Sequence, residues 1–294
     1  MKQFATKHPA TVTFALLFGA TVWGVIWYPY RLLEQAGFSG AFASLATYAV
    51  ALVLGGVLLA PRWRRAELHK FGVILPLALA AGWTNLSYVL AVIDGEVMRV
   101  MLLFYLSPLW TLLLARLLLR EKAGPRGLLV ISFSLTGAFV MLWDPAQGLP
   151  LPRELAEWLG LSSGVGFALT NVLTRRATNL SLEQKSFAVW IGVTGLALIF
   201  LLFESTPLPE LARVGVQQWL CIAGLGVVLV IVTLMVQYGV SNTRATRFAV
   251  IFLFELVVAA ITAWWLAGEA MSAREWVGGA MIVLATIFAP APEK

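Results

Sequence analysis

The sequence predicts an all-α polytopic membrane protein, with ten transmembrane helices arranged as two inverted five-helix repeats. Three observations support this prediction: the apolar composition, the distribution of charge between alternate loops, and a weak internal repetition. Of the 294 residues, 60 % are hydrophobic and 12 % are charged. In soluble domains the apolar fraction averages roughly 45–50 % and the charged fraction about 25 %. A water-soluble fold cannot bury that much apolar surface, so the bilayer is the expected solvent.

Apolar stretches long enough to cross a hydrocarbon core, about 17–25 residues each, recur along the chain between charged or Pro- and Gly-rich breaks. The first stretch lacks a small-residue cleavage site, so it is interpreted as a retained helix rather than a signal peptide. The predicted helices are 10–31, 40–60, 71–92, 97–118, 126–143, 154–175, 183–203, 217–239, 245–267 and 274–289.

Local signals mark several of the predicted helix starts. Pro125 and Pro152 fall where the first turn of a helix needs no amide donor. Two further starts carry capping boxes, in which a hydroxyl and a later side chain each bond a free backbone group. These pairs are Ser181 with Gln184 and Ser272 with Glu275.

The charged residues predict the orientation of the helices. With the N-terminus in the cytoplasm, sixteen of the 21 Lys and Arg residues fall on the cytoplasmic side and five on the outer side. Ten of the 15 acidic residues fall on the outer side. This positive-inside bias predicts that both termini are cytoplasmic. Because the bias alternates correctly over every loop, it also supports the count of ten spans.

The two halves resemble each other in register. The series Arg99, Glu121, Arg126 recurs at an offset of 148 residues. Arg31 has a counterpart in Arg175, at an offset of 144 residues. The later series is Arg247, Glu269 and Arg274. Five helices per half is an odd number, so the second copy enters from the opposite face. Such inverted repeats are common in secondary transporters, whose substrates bind near the midplane between the halves.

Two stretches of the chain carry a resemblance to a known family. They are Tyr105-Leu-Ser-Pro108-Leu-Trp110 with Glu121, Pro125 and Gly137, and Leu253-Phe-Glu255-Leu256 with Gly268-Glu269 and Gly278-Gly279. Together they resemble the EamA-type ten-helix exporters of the drug/metabolite transporter superfamily. In the second copy Leu256 stands in register with Pro108, where the family usually has a proline. Trp23-Gly24, Trp83-Thr-Asn85 and Tyr88 add a narrower likeness to YddG-type exporters of aromatic and other neutral amino acids.

The resemblance implies a basket of helices around a central cavity, lined mainly by the first, third, fourth, sixth, eighth and ninth helices, with no bound cofactor. It implies repeats at residues 1–146 and 147–294. It also implies export of neutral and aromatic amino acids by alternating access across the bacterial cytoplasmic (inner) membrane. Export of drugs or other metabolites is the alternative within the superfamily. The expected partners are this small-molecule substrate and membrane lipid, and the protein is expected to be a monomer or weak homodimer.

Glu255 is the acidic residue that the predicted topology leaves deep within a span, where an ionised carboxylate is costly and usually functional. It is a candidate for binding a substrate ammonium or a proton, or alternatively a neutral acid bonded to a neighbouring helix. The other candidate binding residues lie mid-span and combine flat apolar walls with hydrogen-bonding groups. They are Trp23, Trp83, Asn85, Tyr88, Tyr105, Phe167, Asn171, Gln237, Tyr238 and Phe254. The three amides among them are equally suited to bonding across helices.

Other functions find less support in the sequence. An intramembrane enzyme needs a nucleophile, base or metal ligands assembled at one place, yet His8 and His69, the two histidines, both fall in predicted cytoplasmic segments. The basic residues form no stripe with interleaved aromatics, which argues against a nucleic-acid partner. Glu121 and Glu269 lie at predicted helix ends, so a structural role, accepting from free amides of the next helix, is expected for both.

Overall fold

The computed structural model describes residues 9–59, 71–95, 97–143, 151–203, 214–268 and 271–288, which form twelve α-helices and a π-helical turn. The first half contains α1 (Pro9–Gln35), α2 (Gly40–Leu59), α3 (Phe71–Asp94), α4 (Val97–Phe104), α5 (Ser107–Leu114), the π-helical turn (Ala115–Leu119) and α6 (Pro125–Leu142). The second half contains α7 (Leu155–Arg176), α8 (Leu182–Phe203), α9 (Val216–Ser241), α10 (Ala245–Phe252), α11 (Phe254–Ala267) and α12 (Ala273–Ile287).

Eight segments of the described chain are long and apolar enough to cross a bilayer. Of the other two predicted spans, α7 has 22 residues but is more polar, and the 15 residues of α12 fall short of the roughly 17 that a crossing needs. Both pack into the bundle, α7 against α3 and α12 against α6. The all-helical, multi-pass membrane architecture is therefore confirmed. The predicted boundary at residues 146 and 147 lies outside the described residues, as do His8, His69 and Glu269.

The fourth and ninth predicted spans are broken, although the sequence predicted continuous helices. In the fourth span, α4 ends at Phe104 and α5 begins at Ser107, and the break coincides with Pro108, which has no amide to bond the Phe104 carbonyl. In the ninth span, α10 and α11 are separated by Leu253, whose carbonyl accepts from the Leu256 amide at 3.1 Å in a tighter turn. The ninth span thus breaks without a proline.

The two halves of the chain pack against each other throughout the bundle. Within the described segments, α3 lies against α7 and α8, α2 against α8 and α9, and α6 against α12. Gly82 of α3 and Gly192 of α8 approach so closely that a Cβ on either would collide with the opposite backbone. The two repeats therefore form one bundle, and most neighbours of a first-half helix come from the second half.

The local signals at the helix starts are confirmed with one exception. Both capping boxes form: the Ser181 amide donates to Gln184 Oε1 at 3.0 Å, and the Ser272 amide donates to the Glu275 carboxylate at 2.6 Å. Pro125 occupies the first turn of α6. The prediction for Pro152 is wrong, because Glu154 caps α7 and the proline lies before it.

Candidate functional site

The two helix breaks meet at a small cavity within the bundle. We call α4, α5 and the π-helical turn the fourth span, and α10 with α11 the ninth span. The cavity is lined by the fourth span, α7 and the ninth span. Its lining residues are Phe104, Tyr105, Ser107, Pro108, Thr111, Phe167, Phe248, Ala249, Phe252, Leu253 and Glu255. Its volume of about 10 Å³ holds roughly one water molecule, so a substrate needs the surrounding helices to move apart.

The inverted repeat relates the two walls of this cavity. The 148-residue offset that aligns Arg99 with Arg247 also aligns Phe104 with Phe252, the last residues of α4 and α10. The same offset aligns Ser107 with Glu255. Each repeat therefore contributes a helix end and the start of a second helix, but the first-turn position carries a hydroxyl in one repeat and a carboxylate in the other.

Glu255 lies in the first turn of α11, where the partial positive charge of the helix N-terminus favours an acidic group. Tyr105, which is itself buried, lines the cavity beside Glu255. The pair joins the break in the fourth span to the break in the ninth. A carboxylate has lone pairs for several donors, so it could accept from a neighbouring hydroxyl and from an ammonium group together.

Aromatic rings form a continuous chain from α3 to the ninth span. The ring of Tyr88 lies 5.1 Å from that of Phe104, which lies 5.6 Å from Phe167. Phe167 of α7 lies 5.5 Å from Phe252 and 5.9 Å from Phe248. These centroid separations are typical of favourable aromatic pairs. The cavity thus combines flat apolar walls with one carboxylate.

The structure brings five of the predicted site residues together. Tyr105, Phe167 and Glu255 line the cavity, and Tyr88 and Phe254 pack in the same apolar cluster. Four of these five residues are aromatic, and they come from α3, the fourth span, α7 and the ninth span.

The other six predicted residues lie outside the lining. Trp23 and Tyr238 pack beside Phe248 and Phe252, on the side of the cavity that faces α1 and α9. Asn171 donates to the Phe167 carbonyl of its own helix at 2.7 Å. The remaining three are Gln237, buried with its Oε1 unbonded among the described residues, half-buried Asn85, and Trp83, which is 43 % exposed.

Sequence reasoning missed most of the cavity lining. Phe104, Phe248, Phe252, Ser107 and Thr111 line it but were not singled out. Hydropathy cannot distinguish a cavity-lining phenylalanine from a lipid-facing one. The repeat register was the available signal, since it aligns Phe104, which lies four residues before Pro108, with Phe252.

The fourth span is joined to α7 by ion pairs at both ends. At the end predicted to face outward, which we call the outer end, the Arg99 Nε and Nη2 atoms donate to both oxygens of Glu157. Arg99 Nη2 also donates to the Leu151 carbonyl at 3.2 Å, and the Arg153 amide donates to Glu157 at 2.7 Å. Arg99 and Glu157 are both buried.

At the opposite, inner end, Arg120 adopts a left-handed conformation with φ of 58° and ends the π-helical turn. The next residue, Glu121, pairs with Arg175 of α7. Its carboxylate also accepts from the Ala245 amide at the start of α10, at 3.2 Å. Glu121 thus accepts from a free helix-terminal amide as predicted, but the helix belongs to the ninth span rather than the fifth.

Helices broken midway along the span, meeting at a cavity between two inverted repeats, are typical of membrane transporters. The sequence matches the EamA-like transporter family over residues 11–143 and 154–289, and the chain belongs to that family. The two matched segments agree with the predicted duplication.

Similar proteins support the same class. An uncharacterized transporter of Archaeoglobus fulgidus is 28 % identical over 219 residues, covering 74 % of this chain and 75 % of the relative. An uncharacterized transporter of Pseudomonas aeruginosa is 26 % identical over 191 residues, covering 62 % of this chain and 60 % of the relative. A solved crystal structure matches the fold with a TM-score of 0.74 and 17 % identity, covering 95 % of this chain and 96 % of that one. These names favour transport over an intramembrane enzyme.

Proposed function

We propose that this protein exports neutral amino acids, including those with large apolar side chains, across the cytoplasmic membrane by alternating access. The observation that carries the proposal is the Glu255 carboxylate, which lies beside Tyr105 in the cavity where the two helix breaks meet. A substrate ammonium would bind this carboxylate and the faces of the neighbouring rings. The rings of Phe104, Phe167 and Phe252 would accommodate the apolar side chain.

The test is transport by the purified protein in liposomes, screened over neutral amino acids. Glu255→Gln preserves size and hydrogen bonding but removes the negative charge, so we expect folded protein with strongly impaired transport. Glu275→Gln is the matched control, because it makes the same change in an exposed capping box. Equal transport rates for wild type and Glu255→Gln would show that the negative charge of Glu255 is not needed for substrate binding. If folded protein in liposomes transports none of the neutral amino acids, the proposed substrate class is wrong.

Export of lipophilic amines is the alternative, because one acid among aromatic rings also suits a drug-like cation. The two proposals differ in whether the substrate carboxylate matters. Leucine and phenylalanine should compete with each other for transport, whereas their decarboxylated amines should compete poorly. Strong transport of the amines and none of the amino acids would favour the drug exporter.

The proposed orientation places both termini and the inner end of the bundle in the cytoplasm. It rests on the charge asymmetry of the loops. On a Cys221→Ser background, a cysteine at Lys122 should be protected from an impermeant thiol reagent in intact cells, and one at Arg153 should be modified. The reverse pattern would invert the topology. We further propose a monomer or weak homodimer, which the mass of the purified protein in detergent tests.

A further inference from the structure

Arg247 is the counterpart of Arg99 in the second repeat, and its surroundings differ. It lies in the first three residues of α10, at the inner end, where the ninth span packs against α1. Arg247 Nη2 donates to the Thr13 hydroxyl of α1 at 2.8 Å. Thr13 is also the counterpart of Glu157, since the two are separated by the same 144 residues as Arg31 and Arg175. The Arg247–Thr13 contact therefore repeats the Arg99–Glu157 contact with the carboxylate absent.

The substitution leaves part of the Arg247 guanidinium without a partner. Its Nε and Nη1 atoms are buried and have no hydrogen-bond acceptor among the described residues. Apolar Val12 and Leu16 of α1 pack in the same interface with Ile251. A buried charged donor without an acceptor is costly, and arginine remains charged in proteins.

The Nε and Nη1 donors lie on opposite sides of the guanidinium, so one oxyanion would bond to Nε together with Nη2, the nitrogen that also contacts Thr13. A carboxylate or phosphate is the chemical complement of that pair of nitrogens. Arg99 shows the arrangement: two guanidinium nitrogens donate side by side to the two oxygens of one carboxylate. Guanidinium favours such paired bonds to carboxylate and phosphate. Among the described residues, Thr13 stands where the other interface has an acid, so an oxyanion from another molecule is the complement that this position lacks.

We propose that Arg247 binds an exchangeable oxyanion at the inner end of the interface between α1 and the ninth span. The anion occupies the place that the Glu157 carboxylate holds at the equivalent interface, and it enters when α1 and the ninth span move apart. It comes either from a soluble carboxylate or phosphate, the proposed substrate included, or from the phosphate of a lipid headgroup. This site is separate from the cavity at Glu255, so it does not depend on the substrate class proposed above.

The test measures thermal unfolding of the full-length protein in nanodiscs. In the first arm the discs contain only phosphatidylcholine, and sodium acetate or sodium phosphate is titrated at constant ionic strength. In the second arm soluble phosphate is absent, and the fraction of phosphatidylglycerol is raised. Binding to the folded state raises the unfolding midpoint with anion concentration. A saturable rise in the first arm assigns the site to soluble anions, and a rise confined to the second arm assigns it to lipid.

Thr13→Glu is the decisive variant, because it restores the fixed carboxylate of the other repeat. We expect it to raise the midpoint without added anion and to abolish the anion response. Thr13→Gln has the same size without the charge and should keep the response. Arg247→Gln should lose it, while Arg126→Gln, an exposed arginine predicted to lie on the same side of the membrane, should keep it.

Two results would overturn the proposal. One is the absence of any anion-dependent rise in wild type in either arm. The other is an anion response that does not depend on this site: either the midpoint rises equally in wild type, Thr13→Gln and Thr13→Glu, or Arg126→Gln loses the rise as fully as Arg247→Gln does. The anions would then act on the general surface charge. Should Arg247→Gln fail to fold, the pair of Thr13 variants still decides the outcome.

Discussion

At the interface of the fourth span with α7, the Arg99 guanidinium meets the Glu157 carboxylate. At the interface of the ninth span with α1, its counterpart Arg247 donates to the hydroxyl of Thr13 and to no carboxylate of the described residues. At the inner end of the first interface, a second ion pair forms between Glu121 and Arg175. In the described part of the second interface, the Trp27 indole donates to the Thr262 hydroxyl and that hydroxyl donates to the Gly24 carbonyl, both at 3.0 Å.

This comparison shows what internal symmetry determines in a duplicated fold. The repeat preserves where each arginine lies and which helix it faces. It does not preserve the partner, because a single position on the facing helix changed from acid to hydroxyl. The role of a residue in one repeat therefore cannot be assigned to its counterpart without examining the opposite helix.

The largest difference between the interfaces should appear when the arginines are replaced. Arg99→Met leaves the Glu157 carboxylate buried without its counter-charge. We expect it to lower the free energy of unfolding by about 3–5 kcal/mol. Arg247→Met removes a cation that is only partly bonded, so we expect a change within about 1 kcal/mol in anion-free buffer. Denaturation of both variants in the same detergent measures the contrast, and equal losses would show that the two interfaces are energetically alike.

A smaller effect is expected at the inner end of the first interface. Glu121→Ala removes both the Arg175 pair and the bond from the Ala245 amide. Because the pair is partly exposed, we expect a loss of about 1.5–3 kcal/mol. Glu121→Gln keeps an acceptor for the amide and should lose less. Thermal unfolding of the two variants separates the charge from the amide bond, and identical losses would assign the whole effect to the ion pair.

Close helix approach should matter equally at both interfaces. A Cβ at Gly164 of α7 would lie 2.6 Å from the Phe104 carbonyl oxygen, and one at Gly24 of α1 would lie 2.8 Å from the Glu255 carbonyl oxygen. We expect Gly164→Ala and Gly24→Ala each to cost about 1–3 kcal/mol. Gly195→Ala and Gly224→Ala are the controls, because a Cβ meets nothing within 4 Å there. Unfolding midpoints that fall for all four variants would indicate a general intolerance of alanine.

The smallest effect is expected at the helix break of the fourth span. Pro108 stands where the ninth span has Leu256, yet both spans are broken. Pro108→Ala should therefore leave the break and transport largely intact, and it should cost about 0.4–1 kcal/mol through the greater freedom of the unfolded chain. Transport rates and unfolding midpoints measure this. Loss of transport in a stable Pro108→Ala protein would mean that the two breaks depend on different causes.

Much of the fold could be predicted because it depends on local properties of the chain. Hydropathy averaged over a span locates the helices, and the capping pairs at Ser181 and Ser272 require only residues three apart. Part of the site was predictable for the same reason. A lone acid deep in an apolar span, Glu255, stands out because an intramembrane carboxylate is costly wherever the fold places it.

The sequence by itself determined the helical membrane architecture, the duplication and the positions of Glu255 and the two arginines. Only the tertiary structure decided which phenylalanines line the cavity, that the ninth span breaks at Leu253, and that Arg99 has a carboxylate partner where Arg247 has a hydroxyl. The physical reason is distance along the chain. A span forms from its own twenty residues, whereas the cavity and the ion pairs depend on side chains that lie 54 to 234 residues apart and meet only after the two repeats pack together.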